Sequence, residues 1–145
     1  LILYCMIKKP KIVNKDWGRE IHWTNNTDYC GKTLELKSGH YCSLHSHWKR
    51  EHFLIHSGNV RLALEFDALS NDDRYNIGKI NFFDLVEGDC IEIPRSSWHS
   101  FYGVTVSQII EFSTPDEESA RLFESGSNDI ENWEKLVLKT REKYK

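Results

Sequence analysis

Short alternating or apolar runs recur along this chain, each closed by a turn signal, and that rhythm constrains the fold more than any other feature. Val60-Arg61-Leu62-Ala63-Leu64-Glu65-Phe66 puts Val60, Leu62, Leu64 and Phe66 on one face of a strand. Phe53-Leu54-Ile55 precedes it across the turn signal Ser57-Gly58-Asn59, so the two read as a hairpin. Further strands are expected over 33–36, 79–83, 90–93 and 105–112. Between them stand Lys37-Ser38-Gly39, Glu87-Gly88-Asp89 and Pro94-Arg95-Ser96-Ser97. Short strands at this spacing predict an all-β sandwich or barrel.

Two stretches depart from the rhythm. The polar run 67–78, centred on Ser70-Asn71-Asp72-Asp73, reads as a surface loop. Beyond Asp116 the period lengthens: Trp133, Leu136, Val137 and Thr140 fall on one helical face over 131–143, with Asn128 and Glu131 as a capping box. The expected organisation is an N-terminal extension over 1–12, a barrel over 13–115 and a helical tail over 116–145 packed on it.

The chain has 145 residues, 39% of them hydrophobic, enough for one packed core. Its net charge is −3 and it contains no long Lys/Arg block, which argues against a nucleic-acid partner. The apolar start, Leu1 to Ile7, is too short to span a bilayer, so no membrane partner is expected. It lacks the flanks of a signal peptide, and Met6 is read as the natural start. Cys5, Cys30, Cys42 and Cys90 form no CxxC pair, which suits reduced thiols in a cytoplasmic protein.

The residues that carry chemistry lie in two blocks. In Gly39-His40-Tyr41-Cys42-Ser43-Leu44-His45-Ser46-His47-Trp48-Lys49-Arg50-Glu51, strand geometry aims His45 and His47 the same way. Glu51 follows a bend expected over 48–50 and swings back beside them. Two imidazoles and a carboxylate suit Zn, Fe, Mn or Ni better than Mg or Ca. The second block, 88–99, ends in Pro94-Arg95-Ser96-Ser97-Trp98-His99, and His99 is the natural fourth ligand if this strand lies across from the first.

Together the blocks resemble the two motifs of the cupin superfamily. The first, G-x5-H-x-H-x3-E-x6-G, is met by Gly39, His45, His47, Glu51 and Gly58. The second, G-x5-P-x-G-x2-H-x3-N, is met by Gly88, Pro94 and His99, with Ser96 at the middle Gly and Gly103 at the Asn. The resemblance implies a conical antiparallel β-barrel of the double-stranded β-helix, jelly-roll type. It also implies one divalent transition metal (Zn, Mn, Fe or Ni) held by His45, His47, Glu51 and His99.

Asp16-Trp17-Gly18-Arg19-Glu20, Leu34-Glu35-Leu36-Lys37-Ser38-Gly39 and Ile109-Ile110-Glu111-Phe112-Ser113 further resemble the type II mannose-6-phosphate isomerase cupins. Their C-terminal R-F-x-D-x-Y-G-R signature has only an echo here, Arg121-Leu122-Phe123-Glu124. The resemblance implies aldose–ketose isomerisation of a sugar or sugar phosphate through a metal-stabilised enediol, by a chain that is often a homodimer. Lys37 and Glu111 are then the candidate catalytic residues, and Arg50, Phe101 and Trp48 the candidate substrate-binding residues. Arg19, Arg61 and Arg95 are further cations for a phosphate. Phe101 shares the alternation of His99 and so faces a pocket, while Trp98 faces the other way. Two alternatives use the same four ligands: a non-catalytic carbohydrate-binding cupin, and an iron- or manganese-dependent dioxygenase or oxalate-degrading enzyme.

Overall fold

In a computed structural model, residues 7–66 and 77–144 are described. Met6, Cys5 and most of the loop expected at 67–78 lie outside them. The described residues form thirteen strands and one helix: β1 Lys11–Lys15, β2 Gly18–Asn25, β3 Cys30–Leu36, β4 His40–Tyr41, β5 Leu44–Ser46, β6 Glu51–Ser57, β7 Val60–Phe66, β8 Lys79–Leu85, β9 Cys90–Ile93, β10 His99–Gly103, β11 Ser107–Ser113, β12 Ala120–Phe123, β13 Gly126–Ser127 and α1 Ile130–Lys143. They build two sheets. One runs β1-β2-β3-β11-β6-β9; the other runs β12-β5-β10-β4-β13, with β7 also on β10 and β8 beyond β7. The expected barrel is thus realised as two facing sheets that do not close into one hydrogen-bonded cylinder.

Period-two alternation explains the main core. Leu34 and Leu36, Phe53 and Ile55, Ile109 and Ile93 point inward from the six-stranded sheet, against Leu62, Leu64 and Phe101 from the other. A second cluster covers the outer side of the seven-stranded sheet. There Leu44, Ala63, Trp98 and Tyr102 meet Trp133 and Val137 of α1. This second layer is why β7 is buried on both faces, Ala63 and Glu65 included, rather than on one. Trp98 does face away from the cavity, into this layer.

The hairpin expected between the 53–55 run and β7 does not form. β6 pairs with β11 and β9, while β7 pairs with β10 and β8, so the 57–59 turn carries the chain from one sheet to the other. Its polar groups are tied to the β10–β11 loop instead: Asn59 N–H donates to Thr105 Oγ1, and Asn59 O accepts from the Val104 and Thr105 amides. Gly58 turns this corner at φ +83°, where a Cβ would stand 2.4 Å from Val106 O.

The ends of the chain also join the sheets. β1 begins within the expected extension, and the expected helical tail supplies β12 and β13 before α1 starts. The helix cap sits one residue later than the capping box placed it. Asp129 accepts from Asn132 N–H at 2.9 Å. Asn128 is held outside the helix, its N–H on Gly39 O and its carbonyl accepting from Tyr102 Oη at 2.7 Å.

Candidate metal centre

β10 brings the two sequence blocks together. His99 is the direct antiparallel partner of His45 on β5, which aims both imidazoles into the space between the sheets. His47 lies two residues past His45, and Glu51 opens β6 on the facing sheet. The three imidazoles offer ligand nitrogens all within 4.8 Å of one another. Glu51 Oε1 lies 2.8 Å from His47 Nε2, and Oε2 lies 3.4 Å from His99 Nε2.

The hydrogen bonds around these rings settle their tautomers. His45 Nδ1 lies 2.8 Å from Ser43 O, and His99 Nδ1 lies 2.9 Å from Ser97 O. A carbonyl oxygen only accepts, so each Nδ1 carries a proton and each Nε2 is the nitrogen left to face a metal. Burial, with His99 adding repulsion, holds His45 well below the ordinary histidine pKa, in the neutral form a metal requires. Burial on its own raises Glu51, but the adjacent His47 and His99 rings and the charge of Lys49 outweigh it and hold its carboxyl well below the usual carboxylate range.

The donor set fits a divalent transition ion. Around an ion bonded at about 2.1 Å, neighbouring ligand atoms stand about 3.0–3.5 Å apart, close to the spacings found here. His47 Nδ1 and Glu51 Oε2 are buried without a hydrogen-bond partner, a costly arrangement for a site meant to stay empty.

The centre opens on a cavity of about 200 Å³. Trp17, Leu34, Leu36, Phe53 and Phe101 supply its apolar wall, and Lys32, Lys49, Glu51, Glu111 and Asp116 its charges. Lys49 is the hub: its Nζ lies 3.0 Å from Glu51 Oε1, 2.6 Å from Glu111 Oε1 and 2.8 Å from Asp116 Oδ1. Burial opposes its charge, but Glu111 and Glu51 more than compensate and raise its pKa. Lys32 approaches from β3, 2.8 Å from Asp116 Oδ2. Cys42 also lines the cavity; burial pushes its thiol up to about 11, which leaves it protonated and inert.

Phe101 and Glu111 face this cavity. Three other candidates do not. Lys37 follows the last inward residue of β3, Leu36, so its side chain leaves the sheet and donates to Asp16 O. Trp48 is 63% exposed and stacks on Arg95, and Arg50 points to solvent, 3.3 Å from Glu92. The bend expected over 48–50 is present, at Trp48 and Lys49 in the gap between β5 and β6; through it His45, His47, Lys49, Glu51 and Phe53 all line the cavity while Trp48 and Arg50 turn outward. Counting back by two from Glu51 would have found Lys49. Of the remaining cations, Arg19 pairs with Glu35 and Arg61 with Asp84, outside the cavity.

The two departures from the second motif have structural counterparts. Ser96 adopts φ +63°, the left-handed conformation that the motif's Gly would adopt without strain, and its N–H donates to His47 O at 2.8 Å. At Gly103 a Cβ would stand 2.5 Å from Lys37 O, so the Asn of the motif would not fit.

No family model and no curated protein matches this chain. Solved structures do. A Bacillus subtilis oxalate decarboxylase variant superposes with a TM-score of 0.65 at 16% identity, over 78% of this chain and 30% of that one. The Lactobacillus farciminis oxalate decarboxylase formate complex gives 0.62 at 22% identity, over 78% and 34%. The chain has the cupin fold. It spans about a third of the length of those proteins. Among the described residues, no helix is long and apolar enough to cross a membrane.

Proposed function

We propose that this cupin is a metal-dependent isomerase of a sugar or sugar phosphate. The observation that carries the reading is the Lys49 bridge: one buried ammonium links the metal-site carboxylate of Glu51 to Glu111, a second carboxylate in the same cavity. Aldose–ketose isomerisation takes a proton from one carbon and returns it to its neighbour, which calls for a carboxylate held beside the metal but not consumed by it.

His45, His47, Glu51 and His99 would hold the ion. A divalent ion there would polarise adjacent carbonyl and hydroxyl oxygens and stabilise the charge they develop. Glu111 takes the proton from the hydroxyl-bearing carbon as the C–H electron pair forms the enediol double bond and the carbonyl π pair moves onto its oxygen. It then returns the proton to the former carbonyl carbon as the hydroxyl proton passes to the neighbouring oxygen and the new carbonyl forms. Lys49 donates to Glu111 Oε1 throughout and fixes its orientation, and Ser113 Oγ donates to the same oxygen at 3.0 Å. Phe101 and Trp17 offer apolar surface for a sugar face, and Lys15 and Arg121 are cations lining the cavity that suit a phosphate. The reading places this reaction in the cytoplasm.

Incubation of metal-loaded protein with aldoses and their phosphates in deuterated water tests this. Deuterium should enter at one carbon, and Glu111→Gln should lower the rate by about 10²-fold or more with metal content unchanged. No incorporation from any aldose would defeat the isomerase reading. A second reading is an oxidative or decarboxylating enzyme of a small carboxylic acid. It draws on the oxalate decarboxylase neighbours, one reported for its Mn(II) centres. Carbon dioxide release or oxygen uptake with oxalate, without deuterium exchange into sugars, would favour it.

A further inference from the structure

The carbonyl that holds His99 is itself held from behind. Ser97 O accepts from His99 Nδ1 at 2.9 Å, and the other end of the same peptide unit, Trp98 N–H, donates to Glu65 Oε2 at 3.1 Å. Strand register puts Glu65 there. β7 runs antiparallel to β10 with Leu64 opposite His99, so the next residue, Glu65, stands opposite Trp98, and its own N–H donates to Trp98 O at 2.8 Å. The second carboxylate oxygen, Oε1, accepts from Gly78 N–H. Glu65, Ser97, Trp98 and His99 are each at most 4% exposed.

Among the described residues no cation answers this carboxylate; both of its oxygens end on backbone amides. Burial pushes its pKa up, and the two amides oppose this only in part. The layer it enters, with Ala63, Ile77 and Trp98, is built from apolar side chains. A carboxylate in such a place costs stability, so packing does not account for it.

The shared peptide gives the charge a use. A negative charge beside the N–H draws electron density towards the carbonyl oxygen, and hydrogen bonds in a chain reinforce one another in this way. Ser97 O then pulls harder on the Nδ1 proton of His99, which makes Nε2 the stronger donor to a metal. Neither of the other imidazoles has this support. His45 Nδ1 lies on Ser43 O, with no carboxylate behind that peptide among the described residues, and His47 Nδ1 has no partner.

We infer that Glu65 is a positioning residue for the metal centre: through the Ser97–Trp98 peptide it orients His99 and strengthens it as a ligand, without touching the ion. The inference rests on His99 being a ligand, not on the reaction the centre performs.

Zinc titration of the full chain against a competing chelator, joined to NMR of the histidine Nδ1 protons, tests it. Glu65→Gln keeps the size and one acceptor oxygen but removes the charge. It should weaken zinc binding about 10-fold and move the His99 Nδ1 proton upfield, with the His45 Nδ1 proton unmoved. Arg141→Ala removes the donor to Gly78 O, on the segment that Glu65 also holds, and should bind zinc as the parent does. Zinc added to the unaltered protein should move the Trp98 amide proton downfield as its bond to Glu65 tightens, a measurement that needs no variant to fold. Unchanged affinity in Glu65→Gln, an equal loss in Arg141→Ala, or a Trp98 amide proton that does not move downfield overturns the inference and leaves the ligand assignment standing. A parent protein that binds neither zinc nor manganese defeats both together.

Discussion

His45 and His99 are direct cross-strand partners on β5 and β10, with ring centroids 4.3 Å apart, although the chain travels through both sheets between them. Two imidazoles in contact gain little from each other; their value lies in the nitrogens they aim at one point. His47→Ala and Glu51→Ala should therefore each abolish stoichiometric metal. The parent protein should melt at a temperature that rises with added metal, because an ion bound only by the folded state stabilises it by mass action. In the two variants that rise should vanish. Full metal occupancy in either one, measured by elemental analysis, would refute the ligand assignment.

Ser96 offers a test of the turn that delivers His99. An L-residue at φ +63° carries about 1–2 kcal/mol of strain, while Gly adopts the same angle freely but loses more entropy on folding. Ser96→Gly should raise stability by up to ~1 kcal/mol in urea unfolding and leave metal affinity unchanged. Ser96→Ala, which keeps the strain, should show no gain.

The contrast between those two sites shows what was legible in the sequence. The four candidate donors are legible because strand geometry and motif spacing put three of them within seven residues, and the fourth sits after a turn of fixed length. Arg50 and Trp48 stand out by residue type and by their place beside the candidate ligands, but their parity along the chain sends them outward. Lys32 and Asp116 carry no local signal: they meet only because β3 and the segment after β11 converge on the cavity, 84 residues apart in sequence. The four residues of β12 are likewise too few to show a period, so nothing in the sequence separates this edge strand from the helical tail that follows it.

Asp116 makes folding stability depend on acid. Burial raises its pKa, but hydrogen bonds from Lys32 and Lys49 dominate and pull it from 3.8 down to about 2. A folded-state pKa below the unfolded one stabilises the fold above pH 4, and that contribution disappears as the pH falls towards 2. The side chain is 30% exposed, so solvent screening reduces the stabilisation to about 1–2 kcal/mol. Asp116→Asn should cost this much at pH 7, and the two proteins should converge in stability near pH 2. A constant gap from pH 7 to 2 in urea titrations would show that the carboxylate charge is not what the lysines hold.

Lys49 is 4% exposed and faces three carboxylates, so replacing it leaves buried negative charge without a counterion. In metal-free protein Lys49→Met should cost about 3–5 kcal/mol at pH 7. The sign of its pH dependence follows from what remains. Without the ammonium, burial, the largest influence on both Glu51 and Asp116, is less opposed and their folded-state pKa values rise. A carboxyl whose folded-state pKa is less depressed contributes less stability above its unfolded pKa, and that shortfall fades as falling pH protonates the group. The deficit of Lys49→Met should therefore be widest at pH 7 and narrow towards pH 3, measured by urea unfolding with chelator present. Lys49→Arg, which keeps the charge, should recover part of the loss at pH 7. A deficit that is the same at both pH values would mean that Lys49 acts through packing, and the ion network would not be what holds the two sheets together at the cavity.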